Sequence, residues 1–194
     1  MATVALFHSV LGIRQGVLDA AERMRSDGHE VHVPDLYDGR IFDDYPAAMA
    51  FADSLDFEAQ LGRAMAAVCQ LPVDLVTAGF SAGCAPAVYV ATQRPVSGVV
   101  MFAEALAPSA FEMGLSWPTS VSAQSHAKVD DPFREQEMVE LAIREVAAAG
   151  GTLEVFDYPG TGHLFTDATL PDEYDPAATE LLWSRVLPFL GTLS

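Results

Sequence analysis

Ser81 stands at the centre of Gly79-Phe80-Ser81-Ala82-Gly83, with a glycine two residues away on each side. A serine hydroxyl is a poor nucleophile at neutral pH unless a base takes its proton during attack. Imidazole suits that task because it titrates near neutrality. His163 supplies one in a glycine-rich turn, Pro159-Gly160-Thr161-Gly162-His163. A carboxylate behind the ring would fix its tautomer and stabilise the imidazolium. Asp130 and Asp131 are the candidates for it, and the residues alone leave the choice between them open. Taken singly, each piece has a plainer reading: a strand–loop–helix turn, a satisfied loop histidine, a solvated acidic turn before Pro132. Their weight comes from acting together.

The elements that must position them follow from the apolar pattern. Leu75 to Ala78 reads as a short buried strand, and Ala82 to Ala91 as a helix packed close under a sheet. A serine between them would sit at a strained corner where only tiny residues fit two positions away. The corner would aim the amide of Ala82 at a developing oxyanion, aided by the helix N-terminus. Further strands are expected at 3–7, 29–33, 96–102, 119–125 and 152–158. Helices are expected at 14–26, 47–70 with a break near Ser54, 134–149, and from a cap at Asp175 to about Leu190. The stretches 36–46, 103–118 and 126–133 read as loops, the second with room for a short helical excursion. Strands alternating with helices predict an α/β chain: three layers around a doubly wound, mostly parallel sheet of about six strands. No linker or repeat divides it, so residues 1–194 are expected to form one domain without a separate cap.

Ser81, the Asp130-Asp131 pair and His163 then follow three different strands, at the edge where open α/β sheets gather reactive groups. Their chain order is that of an α/β-hydrolase triad. Composition narrows the partners. Ten Lys and Arg against 27 Asp and Glu give a formal net charge of −17, which excludes a phosphate-tracking nucleic-acid surface and an anionic membrane. No apolar run reaches the length of a membrane span, and no signal peptide is expected. Cys69 and Cys84 give no disulfide framework and read as reduced core or near-core residues of a cytoplasmic protein. No Cys/His spacing fits a metal, and no cofactor is called for. His8 reads as a hydrogen-bonded loop residue, His29 and His32 as strand-edge residues, and Glu104 as an exposed loop acid.

The chain resembles the dienelactone hydrolase family of α/β-hydrolases over nearly its full length. The likeness is carried by residues 6–12 (LFHSVLG), 33–37 (VPDLY), 79–83 (GFSAG), 131–133 (DPF) and 158–165 (YPGTGHLF). The resemblance implies a nucleophile at Ser81, a base at His163 and an orienting acid at Asp131, with Asp130 second. It also implies an oxyanion hole from the amides of Ala82 and Val10. Three departures stand out. The family's type member has a Cys where this chain has Ser81, and an accessory Glu where this chain has Ser9. An Arg that holds a substrate carboxylate is matched by Asp167, and no second such Arg appears in 45–57. Lost cations and an added acid at a pocket rim disfavour an anionic lactone.

The expectation is therefore a metal-free, cofactor-free serine hydrolase of small neutral esters or lactones, working through an acyl-enzyme. Its pocket is expected from His8, Ser9, Leu11, Phe42, Tyr45, Phe80, Phe111 and Trp117. The alternatives are a hydrolase fold retained as a binding or regulatory module, and acyl transfer by the same residues to an acceptor other than water.

Overall fold

Six strands and the order in which they lie decide where the candidate residues can meet. The computed structural model describes residues 1–193. The strands are β1 (Thr3–Phe7), β2 (Glu30–His32), β3 (Val76–Phe80), β4 (Gly98–Phe102), β5 (Ser122–Lys128) and β6 (Leu153–Tyr158). They form one sheet in the order β2-β1-β3-β4-β5-β6, with every neighbouring pair parallel. Between and after them run α1 (Gln15–Ser26), α2 (Tyr45–Asp53), α3 (Phe57–Val68), α4 (Cys84–Gln93), α5 (Gln136–Ala148) and α6 (Pro176–Thr192).

The central strands read as unbroken apolar runs because both faces of the sheet are covered. Successive residues of a strand point to opposite faces. Val4, Leu6, Val100 and Phe102 thus join a core with α1 and α6 that includes Trp183. Ala5, Phe7, Val99 and Met101 join a second core with α3 and α4 that includes Trp117. This is the three-layer arrangement the alternation predicts. The strand order reverses between β1 and β3: the chain leaves β1 toward α1 on one face and leaves β3 toward α4 on the other. The crevice at such a reversal, beyond the carboxyl ends of the strands, is where α/β sheets take ligands.

Two boundaries and one burial differ from the sequence reading. The fifth strand lies three residues later than expected and takes in His126 and Lys128, which read as loop. Both are buried, and both are satisfied there. His126 bonds the Tyr158 hydroxyl and Gln124, at 2.9 and 3.1 Å. Lys128 donates to the Pro159 carbonyl at 2.7 Å and to Asp175 at 2.5 Å. Second, the stretch read as loop to Pro46 is already helical from Tyr45. Asp44 caps α2 by accepting the Ala47 amide at 2.8 Å, and Pro46 fits a first turn that needs no donor. Third, Cys69 is exposed at the end of α3 rather than in or near the core, while Cys84 is buried. No helix among the described residues is long and apolar enough to cross a membrane.

Candidate active site

At the end of β3 the chain turns at Ser81, whose φ is +51°. This left-handed conformation costs a non-glycine residue on the order of 1–3 kcal/mol. Close packing on either side holds it. A Cβ on Gly79 would lie 2.1 Å from the Gly83 carbonyl oxygen, and one on Gly83 would lie 2.4 Å from that of His8. The two glycines let β3, the start of α4 and the loop after β1 converge on one point. Ser81–Gly83 form a short 3-10 turn that runs into α4, so the amide of Ala82 lies in a first turn with no helical acceptor. Pro86 is only the third residue of α4, where a missing donor costs little.

Side chains from three strand ends meet at this corner. Ser81 Oγ is 2.7 Å from His163 Nε2, and His163 Nδ1 is 2.6 Å from Asp131 Oδ2. All three residues are buried. An ionised carboxylate only accepts, so the ring proton sits on Nδ1 and Nε2 accepts from the serine hydroxyl. Asp131 Oδ1 takes the Phe133 amide at 2.9 Å, which fixes the carboxylate against rotation. Asp130 is exposed, and its amide donates to Gly160. The structure thus brings Asp131, and not Asp130, to the imidazole.

Aromatic rings hold the imidazole in place: Phe133 at 4.7 Å and Tyr45 at 5.9 Å between centroids. The Tyr45 hydroxyl donates to both oxygens of Glu173, at 2.9 and 3.1 Å. Glu173 also accepts the amide of Leu164, the residue after His163, at 2.5 Å. Burial, reinforced by the adjacent Glu173 charge, pushes the Tyr45 phenol far up and keeps it protonated.

A cavity of about 320 Å³ opens over this group, and Val10, Tyr45, Ala82 and Phe133 line it with Ser81 and His163. Val10 and Ala82, whose amides the resemblance assigns to an oxyanion hole, both border this cavity. Met49, Ala52 and Asp53 reach the same cavity from α2, where with Tyr45 they share one helical face. That spacing was the available signal for them in the sequence. Ala52, Asp53 and Ala82 also border a second cavity of about 460 Å³, walled by apolar residues such as Leu36, Tyr37, Leu55 and Leu61. His8 borders this second cavity, but both its nitrogens are engaged. Nδ1 donates to the Ser9 carbonyl at 2.7 Å and Nε2 accepts the Leu36 amide at 3.1 Å. Burial pushes its pKa down, so the ring is neutral and structural.

Glu104 corrects an expectation, because it is no exposed loop acid. It follows β4 and lines the cavity with Ser81. Burial pushes its pKa up to about 7; His163 opposes the rise, and Glu135 and Asp131 add to it. Several expected lining residues lie elsewhere. Leu11 is buried in the first core, Phe80 stacks on Phe102 at 4.5 Å, and Phe42 packs against Phe51. Trp117 is buried in the second core and donates to the Val121 carbonyl at 2.8 Å. Phe111 stacks on Phe57 at 6.1 Å without reaching either cavity. Leu11, Phe80 and Trp117 belong to the cores and Phe42 and Phe111 pack against them, which left fewer apolar loop residues for the cavities. Ser9 and Asp167 share a separate small crevice. Asp167 pairs there with Arg14 at 3.3 Å and accepts from Thr169, so its carboxylate does not line the Ser81 cavity although its charge is felt at Tyr45. Among the described residues, no three His, Cys, Asp or Glu side chains are grouped to hold a metal ion.

The geometry can be set beside known proteins. A dienelactone hydrolase-like promiscuous phosphotriesterase from metagenomic libraries superposes with a TM-score of 0.81 at 20% identity, over 100% of this chain and 87% of its own. An alpha/beta hydrolase from a Medee basin deep-sea metagenome library gives 0.72 at 15%, over 99% and 84%. Mouse alpha/beta hydrolase domain-containing protein 10 gives 0.71 at 13%, over 99% and 90%. At these identities the likeness is one of fold, that of the alpha/beta hydrolases. No protein of curated function matches the chain. The sequence profile of the dienelactone hydrolase family matches all of residues 1–194, so a chain folded around this serine corner belongs to the dienelactone hydrolase family.

Proposed function

We propose that this protein is a serine hydrolase of small carboxylic esters or lactones, with Ser81 as nucleophile, His163 as base and Asp131 as its orienting acid. The observation that carries the reading is the continuous chain of hydrogen bonds, 2.7 and 2.6 Å long, from the Ser81 hydroxyl to the Asp131 carboxylate. In this reading Ser81 Oγ attacks the ester carbonyl while His163 Nε2 takes its proton. The tetrahedral oxyanion draws on the amides of Ala82 and Val10. The imidazolium, stabilised by Asp131, then protonates the leaving alcohol. Water enters, gives its proton to His163, and releases the acid from the acyl-serine. No Lys or Arg lines either cavity, so nothing there is suited to hold a substrate carboxylate, and the substrate lacks an anionic group. The larger, apolar cavity suits a hydrocarbon portion of the substrate. The partner is thus a small molecule, and two free cysteines accord with work in the cytoplasm.

The test is covalent. Wild-type protein treated with a fluorophosphonate is expected to gain one adduct by intact mass, mapped to the peptide containing Ser81. Ser81→Ala is expected to gain none and to lose p-nitrophenyl acetate turnover by about 10⁴-fold or more. A wild-type protein that resists labelling at high probe concentration would leave a non-catalytic binding module. Added alcohols or thiols that divert the acyl group into new esters would instead mark an acyltransferase.

A further inference from the structure

Glu104 comes two residues after the end of β4 and borders the cavity that holds Ser81 and His163. Its backbone carbonyl is fixed by the Ser125 hydroxyl at 2.8 Å. Its carboxyl, in contrast, accepts a hydrogen bond from none of the described residues. A half-buried acid left without a protein donor is disfavoured in its charged form, and the cost falls when a ligand supplies the missing charge or proton. Asp53 is a second acid of the same cavity and also borders the larger apolar one. Among the described residues neither cavity is lined by Lys or Arg, and Arg134, next to Phe133 in the chain, lies in ion-pair contact with Asp157 at 2.7 Å, although its Nη1 has no hydrogen-bond partner. The cavity walls include the rings of Tyr45 and Phe133, with centroids 5.3 Å apart, and the thioether of Met49. Aromatic faces attract cations through their negative π-clouds even at a solvent-reached rim, where Phe133, Met49 and Asp53 are exposed.

We propose that the substrate of this site is an ester or lactone carrying an ammonium group, held by Glu104 and Asp53 against the Tyr45 and Phe133 rings while its carbonyl meets Ser81. The ester in this statement rests on the hydrolase reading, whereas the ammonium rests on the walls of the cavity. The same walls repel a carboxylate. Glu104 interacts with His163 from beyond β6, with Asp131 and Glu135 from the segment after β5 and with the buried Cys84 thiol of α4, and Asp53 and Tyr45 of α2 share its cavity. With its pKa near 7, it is ionised above that pH and neutral below it. Preference for an ammonium is therefore strongest above neutrality and fades as the solution is acidified.

A matched pair of probes tests this: S-acetyl-2-(trimethylammonio)ethanethiol, whose charge is fixed at every pH, and its uncharged carbon isostere, 3,3-dimethylbutyl thioacetate. Calorimetric titration of Ser81→Ala reads binding without turnover. The ammonium probe is expected to bind about tenfold tighter than the isostere at pH 8. That ratio is expected to shrink to within about threefold in Ser81→Ala/Glu104→Gln, and at pH 6 in the single variant. Equal affinities at pH 8, or a preference that survives both Glu104→Gln and acidification, overturns the proposal. Should that double variant fold poorly, Ser81→Ala/Glu104→Leu is read at pH 8 by the same criterion. Wild-type turnover separates the two readings. Hydrolysis of both probes with equal kcat/KM leaves the hydrolase and removes the ammonium specificity. An intact binding preference with neither probe hydrolysed leaves the cation site and removes the hydrolase.

Discussion

Asp131 and Asp130 are chemically identical neighbours with opposite surroundings, one buried against an imidazole and the other in solvent. Asp131→Asn is expected to lower kcat by about 10⁴-fold, because an amide at that place favours the wrong imidazole tautomer. Asp130→Asn is expected to stay within about twofold of wild type in the same esterase assay. Glu104 allows a prediction that needs no substrate. Its folded-state pKa lies above the ordinary 4.5, so it adds stability below about pH 4.5, and that contribution is lost as pH rises through about 7. Glu104→Gln is therefore expected to melt higher than wild type at pH 8, by up to about 3 kcal/mol of stability, and to show no such gain at pH 4. Equal melting temperatures at pH 8 would show that the acid is not withdrawn from water. Of these residues, Ser81 and His163 were legible from type and spacing, and Asp131 from a family likeness. Glu104 was not, because sequence shows where a loop begins and not which of its side chains turns inward.

At the scale of elements, the corner after β3 depends on two missing side chains. Gly83→Ala drives a methyl into the backbone carbonyl of His8, and Gly79→Ala drives one into that of Gly83. Either is expected to destabilise the protein by at least about 1–3 kcal/mol and to abolish fluorophosphonate labelling. A thermal melt beside the labelling assay checks both. The pattern G-x-S-x-G announced this corner because its constraint is local. The limits of β5 were harder to read, since His126 and Lys128 look like loop residues until β6 and α6 provide their partners. His126 remains neutral there: burial, aided by the positive Arg185, pushes its pKa down to about 3. The start of α2 was hidden for another reason, because Pro46 reads as a breaker although Asp44 makes it the second residue of a capped helix.

At the scale of the molecule, alternation of strand and helix was enough to give three layers and a parallel sheet, because hydrophobic period and turn residues are local signals that add up. What it did not give was the pair of adjoining cavities, which arises where α2, α3, α4 and the loops after β1, β2, β4, β5 and β6 meet. A net charge of −17 also acts on the whole fold. Raising NaCl from about 0.01 M to about 1 M shortens the Debye length from ~30 Å to ~3 Å, so the melting temperature at pH 8 is expected to rise by a few degrees. A fall on added salt would show that attractive ion pairs outweigh the repulsion. The two tryptophans offer a last consequence. Trp183 is buried under α6 on one side of the sheet and Trp117 in the core on the other. Replacing either with Phe leaves a lone tryptophan on one side of the sheet, so the protein comes equipped to report whether its two halves melt in step or one after the other.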